Sequence, residues 1–131
     1  MPTQDQSQHV QPQRREIILS AALNTITREG VAGLSLRTVA AEAHVALGSI
    51  AYYFNDKDGL INAAFKEFTQ RSVIQFQSFY EDVTTLEEAR AATVSMLSST
   101  AGSRTDTILG SELYALSLRR PRHRMILLEW T

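Results

Sequence analysis

Residues 35–57 read SLRTVAAEAHVALGSIAYYFNDK, and their pattern decides the fold. Ser35 suits a helix N-cap, where its hydroxyl accepts an orphan backbone N–H. Leu36, Val39, Ala40 and Ala43 then recur at helical spacing on one face. A tight turn follows, and Leu47 to Phe54 read as a second short helix. It carries Tyr52 and Tyr53 side by side, so the two phenols leave the helix about 100° apart and cannot both point inward. One of them should stay at the surface. Asn55-Asp56 break the helix, Asp56 can cap the next one, and Lys57 falls in that helix's first turn, where its charge opposes the dipole. A cation in that position suggests another use.

Two short helices joined by a tight turn read as a helix-turn-helix, in which the second helix enters the major groove of DNA while flanking groups bind phosphates. Small residues near its start, Ala46, Gly48 and Ser49 around Leu47, let the backbone approach the duplex. Tyr52 offers a flat face and a hydroxyl to base edges. The stretch resembles the DNA-binding signature of TetR-type (TetR/AcrR) transcriptional regulators. Val39-Ala40, Val45, Gly48-Ser49-Ile50, Tyr53-Phe54 and Lys57 match it in order and spacing. Two positions depart from the family pattern. His44 stands where the turn usually has Gly, and Ala51 where the family usually has Tyr. His tolerates a positive φ less well than Gly, and Ala51 shifts base reading toward Arg37 and Tyr52.

The resemblance implies a double-stranded DNA operator as partner. Ser35, Arg37, Thr38, Ala46, Leu47, Gly48, Ser49, Tyr52, Tyr53 and Lys57 are then the DNA-binding candidates, with Thr38, Ser49, Tyr53 and Lys57 assigned to phosphates. Arg37 faces either solvent or a guanine.

The chain's 131 residues, 44% of them hydrophobic, are enough to bury a core. Helical periodicity runs through nearly every segment and strict alternation is absent. An all-α fold is expected, and the resemblance implies an N-terminal three-helix helix-turn-helix DNA-binding domain followed by an incomplete helical ligand and dimerisation domain. The sequence has no cysteine, which excludes disulfides and thiolate metal sites. Residues 1–13 are polar and contain no apolar run of signal-peptide type, and no stretch approaches a membrane span. A cytoplasmic, nucleoid-associated regulator without contact to membrane fits. Through residue 58, Arg14, Arg15, Arg28, Arg37 and Lys57 stand against Asp5, Glu16, Glu29, Glu42, Asp56 and Asp58. No broad electrostatic funnel is available, so DNA binding must rest on a few placed contacts.

Residues 1–13 read as a flexible polar arm, 14–68 as the DNA-binding domain and 69–131 as the regulatory domain. Arg14 and Arg15 begin the first helix as solvated residues or as phosphate contacts. Leu19, Ala22, Leu23 and Ile26 form its apolar face, and Gly30 ends it. Val31 to Leu34 connect, with Leu34 stapled onto the core. A long helix runs from Lys57 to Phe79. Its stripe of Phe65, Phe68, Phe76, Phe79 and Tyr80 suits a core.

Asp82 to Thr85 make a break. Leu86, Ala89, Thr93, Met96 and Leu97 form the next helical face, and Ser98–Arg104 reads as a loop hinged at Gly102. Leu109, Leu113 and Leu116 line a further helix. Glu112 shares that stripe and is either paired with an arginine or, with Tyr114, part of an effector pocket favouring a cation. Arg119 to Arg124 mark a helix junction around Pro121. Met125 to Trp130 begin an apolar helix, and the family usually runs well beyond it to form a dimer interface.

Little supports an enzyme. His9, His44 and His123 are isolated, no metal or cofactor site is indicated, and no phosphate-cradling glycine loop occurs. The function implied by the resemblance is a repressor relieved by a small-molecule effector and acting as a homodimer. The alternative is a truncated helical interaction module that pairs with a full-length regulator without binding an operator itself.

Overall fold

The computed structural model describes the backbone of residues 3–120, 126 and 128, with side chains from Gln13 onward. Among the described residues the fold is all-helical: α1 (Thr3–Glu29), a 3-10 turn (Val31–Gly33), α2 (Leu36–Ala43), α3 (Leu47–Phe54), α4 (Lys57–Phe79), α5 (Leu86–Gly102) and α6 (Arg104–Arg119). The chain divides into two compact units, residues 1–65 and 66–131.

The first unit is built on α1. Ile18, Leu19, Ala22, Leu23 and Ile26 repeat at helical spacing and are almost fully buried, with Thr25 between them. The Thr25 hydroxyl donates to the Ala21 carbonyl at 2.8 Å, so this buried polar group is satisfied within its own helix. Leu34 (2% exposed), Val39, Ile50, Leu60, Ile61 and Phe65 complete the core. Burying each such side chain stabilises the unit by roughly 1.5–3 kcal/mol. Gly30 ends α1 at φ 77°, ψ 169°, a positive-φ conformation open essentially to glycine alone, and its N–H donates to the Ile26 carbonyl at 2.8 Å.

The N-terminal segment departs from the expected flexible arm: its backbone is helical from Thr3 and continues α1. Glutamine, frequent between residues 4 and 13, is a good helix former, whereas Pro12 forgoes one helical hydrogen bond.

In the second unit α6 buries Leu109, Leu113 and Leu116, as their spacing predicts, and the later part of α4 buries Phe68, Thr69 and Ser72. The Ser72 hydroxyl donates to the Phe68 carbonyl at 3.0 Å. The aromatic stripe of α4 is not a single core: Phe65 and Phe68 are buried, Phe76 and Phe79 are half-buried, and Tyr80 is exposed. Tyr80 instead shares a 2.8 Å hydrogen bond with the Thr93 hydroxyl of α5.

Helix α5 differs from expectation in two ways. Ser98–Gly102 is helix rather than loop, and within it the Thr100 hydroxyl donates back to the Met96 carbonyl at 2.9 Å. The break is the single residue Ser103, which donates its N–H to the Thr100 carbonyl and accepts the Asp106 N–H on its hydroxyl at 3.2 Å. The half-buried face of α5 is Ala89, Ala92, Thr93, Met96 and Thr100, while Leu86 and Leu97 are 81% and 58% exposed. Leu97 follows Met96 directly and so lies about 100° round the helix from it. The basic run beyond Arg120 and the apolar Met125–Trp130 segment lie outside the described residues, apart from positions 126 and 128.

Candidate nucleic-acid interface

Helix α2 is locked at its start by a reciprocal capping box. The Ser35 hydroxyl accepts the Thr38 N–H at 3.1 Å, and the Thr38 hydroxyl accepts the Ser35 N–H at 3.0 Å while donating to the Ser35 carbonyl. Both residues are half-buried, and their hydroxyls are engaged in holding the helix end. Val39, Ala40 and Ala43 turn inward, which leaves Arg37 exposed on the outer side. The Arg28 guanidinium of α1 lies 3.6 Å from the Glu42 carboxylate of α2, a partly exposed pair of modest worth, below about 1 kcal/mol.

The turn is closed by His44 at φ 57°, ψ 43°, so the left-handed conformation suspected from the sequence is adopted by a non-glycine residue. The His44 N–H donates to the Ala41 carbonyl, and the Val45 N–H to the Ala40 carbonyl at 3.0 Å.

Helix α3 divides sharply into two sides. Ile50 and Phe54 are 0% and 6% exposed. Gly48, Ala51 and Tyr52 are all exposed, with Tyr52 at 74%, and at positions i, i+3 and i+4 they form one outward strip. Of the two phenols it is therefore Tyr52 that stays at the surface. Tyr53 is half-buried, and the two rings meet edge-on with centroids 5.2 Å apart. Ala46 and Leu47 are exposed at the start of the helix and Ser49 is half-buried beside them. Ala51, noted in the sequence only as a departure, lies in the middle of the outward strip.

Beyond Phe54 the chain turns abruptly. Asn55 sits at φ 62°, ψ −63°, and the Asp56 N–H donates to the Phe54 carbonyl at 2.7 Å. This is a γ-turn of the rarer, positive-φ kind. Asp56 then caps α4 by accepting the Gly59 N–H on its carboxylate at 2.8 Å, and Lys57 is exposed on the first turn. Arg15 of α1 places its guanidinium 5.4 Å from the centre of the Phe54 ring. Such a cation–π contact contributes about 0.5–1 kcal/mol at an exposed site.

The structure thus brings Arg37, the α3 strip, Tyr53 and Lys57 into one helix-turn-helix. It does the opposite for the two effector candidates. Glu112 is half-buried and Tyr114 is 57% exposed, and two residues apart they leave α6 about 200° from one another. Two features escape a reading of the sequence, the Arg15–Phe54 contact and the tight corner at Asn55 and Gly59. The Arg15–Phe54 pair joins residues distant in the chain and leaves no local signal. Asn55 and Gly59 do leave one: Asn is among the residues that tolerate positive φ, and a glycine in a first helical turn is a poor helix former kept for some reason. Among the described residues no group of three or more His, Cys, Asp or Glu is placed to hold a metal ion, and no helix is long and apolar enough to cross a membrane.

Comparison with known proteins bears on this unit first. Residues 18–71 match the family model for bacterial regulatory proteins of the tetR family. The chain is 43% identical over 58 residues to the HTH-type transcriptional regulator BetI of Stenotrophomonas maltophilia, a segment comprising 44% of this chain and 30% of that one. The likeness to solved structures extends further. The Streptomyces coelicolor A3(2) protein SCO7518 is 38% identical and superposes with a TM-score of 0.86 over 91% of this chain and 69% of its own. The multidrug binding protein EbrR, in its complex with proflavin, is 40% identical with a TM-score of 0.62 over 89% of this chain and 69% of its own.

Proposed function

The chain belongs to the tetR family of bacterial regulatory proteins, and from that premise we propose that it is a sequence-specific DNA-binding repressor released by a small-molecule effector. The observation that carries the DNA reading is the outward strip of α3. Gly48 and Ala51 add almost no bulk there, so the helix can settle deep in a major groove while Tyr52 reaches base edges or thymine methyl groups. Arg37 reads a neighbouring base from α2. Ser49, Tyr53 and Lys57 hold the phosphates, and Ser35 and Thr38 serve by fixing the start of α2. Because the unit carries no excess of basic residues, two half-sites engaged by a homodimer supply the affinity that one cannot.

Dimer formation is supported by the second unit, where Leu86, Val94, Leu97, Tyr114 and Leu118 are each more than half exposed. The effector reading is supported by EbrR, which is described as a multidrug binding protein and complexed with proflavin. Glu112 is the residue proposed to favour a cationic effector.

Fluorescence anisotropy of the purified chain on its own upstream DNA tests this at two salt concentrations. Tight binding that weakens with salt and is reversed by added proflavin is the expected result. Binding no better than to random DNA would overturn the operator reading and favour a module that pairs with another regulator through the exposed apolar residues of the second unit. An unchanged response to proflavin in Glu112→Gln would remove Glu112 from the effector site.

A further inference from the structure

We propose that Gly59 is a positioning residue for DNA binding, holding the corner between α3 and α4 at the one angle that places Tyr53 and Lys57 together on the phosphate backbone; this rests on the DNA-binding reading above. Three observations meet at the corner. Asn55 adopts a positive φ that an L-residue enters at a cost, and the Asp56 N–H holds the Phe54 carbonyl in the γ-turn at 2.7 Å. That carbonyl is thereby folded back onto the first turn of α4. A Cβ added at Gly59 would be driven into the Phe54 carbonyl oxygen, far inside van der Waals contact, and would lie 3.3 Å from the Asp56 carboxylate. The obstacle is backbone, so no side chain can swing aside to relieve it.

Gly48 and Gly102 are not built this way, since an added Cβ there meets nothing within 4 Å; at Gly33 it would meet the Glu29 Cβ at 2.8 Å, a side-chain atom rather than a backbone carbonyl. The Asp56 side chain also uses the Gly59 N–H as its capping partner at 2.8 Å, so the same residue serves the cap and admits the carbonyl. Tyr53 precedes the corner by one residue and Lys57 follows Asp56 directly. Opening the corner therefore moves the two phosphate candidates relative to each other while leaving the outward strip of α3 intact.

The test is anisotropy of the whole chain on operator DNA across a salt series, for wild type and Gly59→Ala, with helicity followed by circular dichroism. Gly59→Ala is expected to stay folded, to bind on the order of tenfold more weakly, and to show a salt slope shallower by about one for each phosphate that is no longer neutralised. Unchanged affinity and slope, or weaker binding matched by a fall in helicity, would overturn the proposal. Should Gly59→Ala fail to fold, Asn55→Val decides by the same readout. It adds no bulk to α4 but disfavours the positive φ, and it is expected to flatten the slope in the same way; an unaltered slope sinks the idea. If wild type itself does not bind, the DNA reading fails. A crystal structure of Gly59→Ala then reports on the corner alone: the Phe54 carbonyl turned away from α4 supports the geometry, and an unmoved carbonyl overturns it.

Discussion

The two units use apolar residues in contrasting ways. In the first, the side chains that recur at helical spacing are inside, from Ile18 to Phe65, and the large apolar groups left exposed are Ile17, Leu47 and Tyr52, two of them on the recognition helix α3. In the second, α5 buries no side chain fully among its 17 residues. Ile74, Leu86, Val94, Leu97, Tyr114, Leu118 and Leu128 are exposed there beside the short buried row of α6. The first unit closes a core and leaves Arg37, Tyr52 and Lys57 exposed on its surface. The second leaves more large apolar side chains exposed. Stability should therefore reside in the first unit, and its surface substitutions should act on function.

Breaking the core of the first unit is expected to have the largest effect. Phe65→Ala should destabilise the fold by about 3–5 kcal/mol, read as a lower midpoint in a urea titration followed at 222 nm. A change below about 1 kcal/mol would mean that the core is looser than its burial suggests. Arg37→Ala addresses the ligand surface. We expect operator affinity to fall by about 1–3 kcal/mol with preference relaxed at one base pair, and thermal stability unmoved; equal affinity for operator variants and wild-type sequence in both proteins would exclude a reading role.

Smaller effects sharpen the contrast. Ser35→Ala removes the hydroxyl that accepts the Thr38 N–H and should cost about 0.5–2 kcal/mol in thermal unfolding, whereas a surface serine outside a cap would cost almost nothing. His44→Gly relieves a left-handed conformation and should raise stability by under about 1 kcal/mol, offset in part by the added freedom of the unfolded chain. Leu97→Ser in the second unit should leave unfolding within about 0.5 kcal/mol of wild type, because the side chain is already exposed. Its expected signature is weaker self-association in sedimentation velocity. A large drop in stability without a change in association would place Leu97 in a core after all.

Much of the recognition unit is legible in the sequence. The capping box at Ser35, the inward Val39, Ala40 and Ala43, the exposed Tyr52 and the Asp56 cap each follow from the chemistry and spacing of residues within one or two turns. The left-handed turn at residue 44 is legible too, since the place of a glycine in the motif marks the backbone conformation even when a histidine fills it. The second unit is harder to read. Leu86 and Leu97 carry the same apolar signal whether they face a core or solvent, and the serines and threonines of 98–103 have the composition of a loop although the Thr100 hydroxyl bonds to the preceding turn of its helix.

What the sequence by itself determined is the helix-turn-helix of the first unit, the caps at Ser35 and Asp56, and which side of each of its helices is apolar, because these depend on hydrogen bonds and periodicities spanning a few residues. Only the tertiary structure decided that Arg15 lies over Phe54, that Leu86 and Leu97 stay exposed, and that the Phe54 carbonyl folds against Gly59. The physical reason is common to all three. Each depends on where one element's atoms come to rest against another's, or on the direction in which a backbone group points, and helical periodicity carries no information about either.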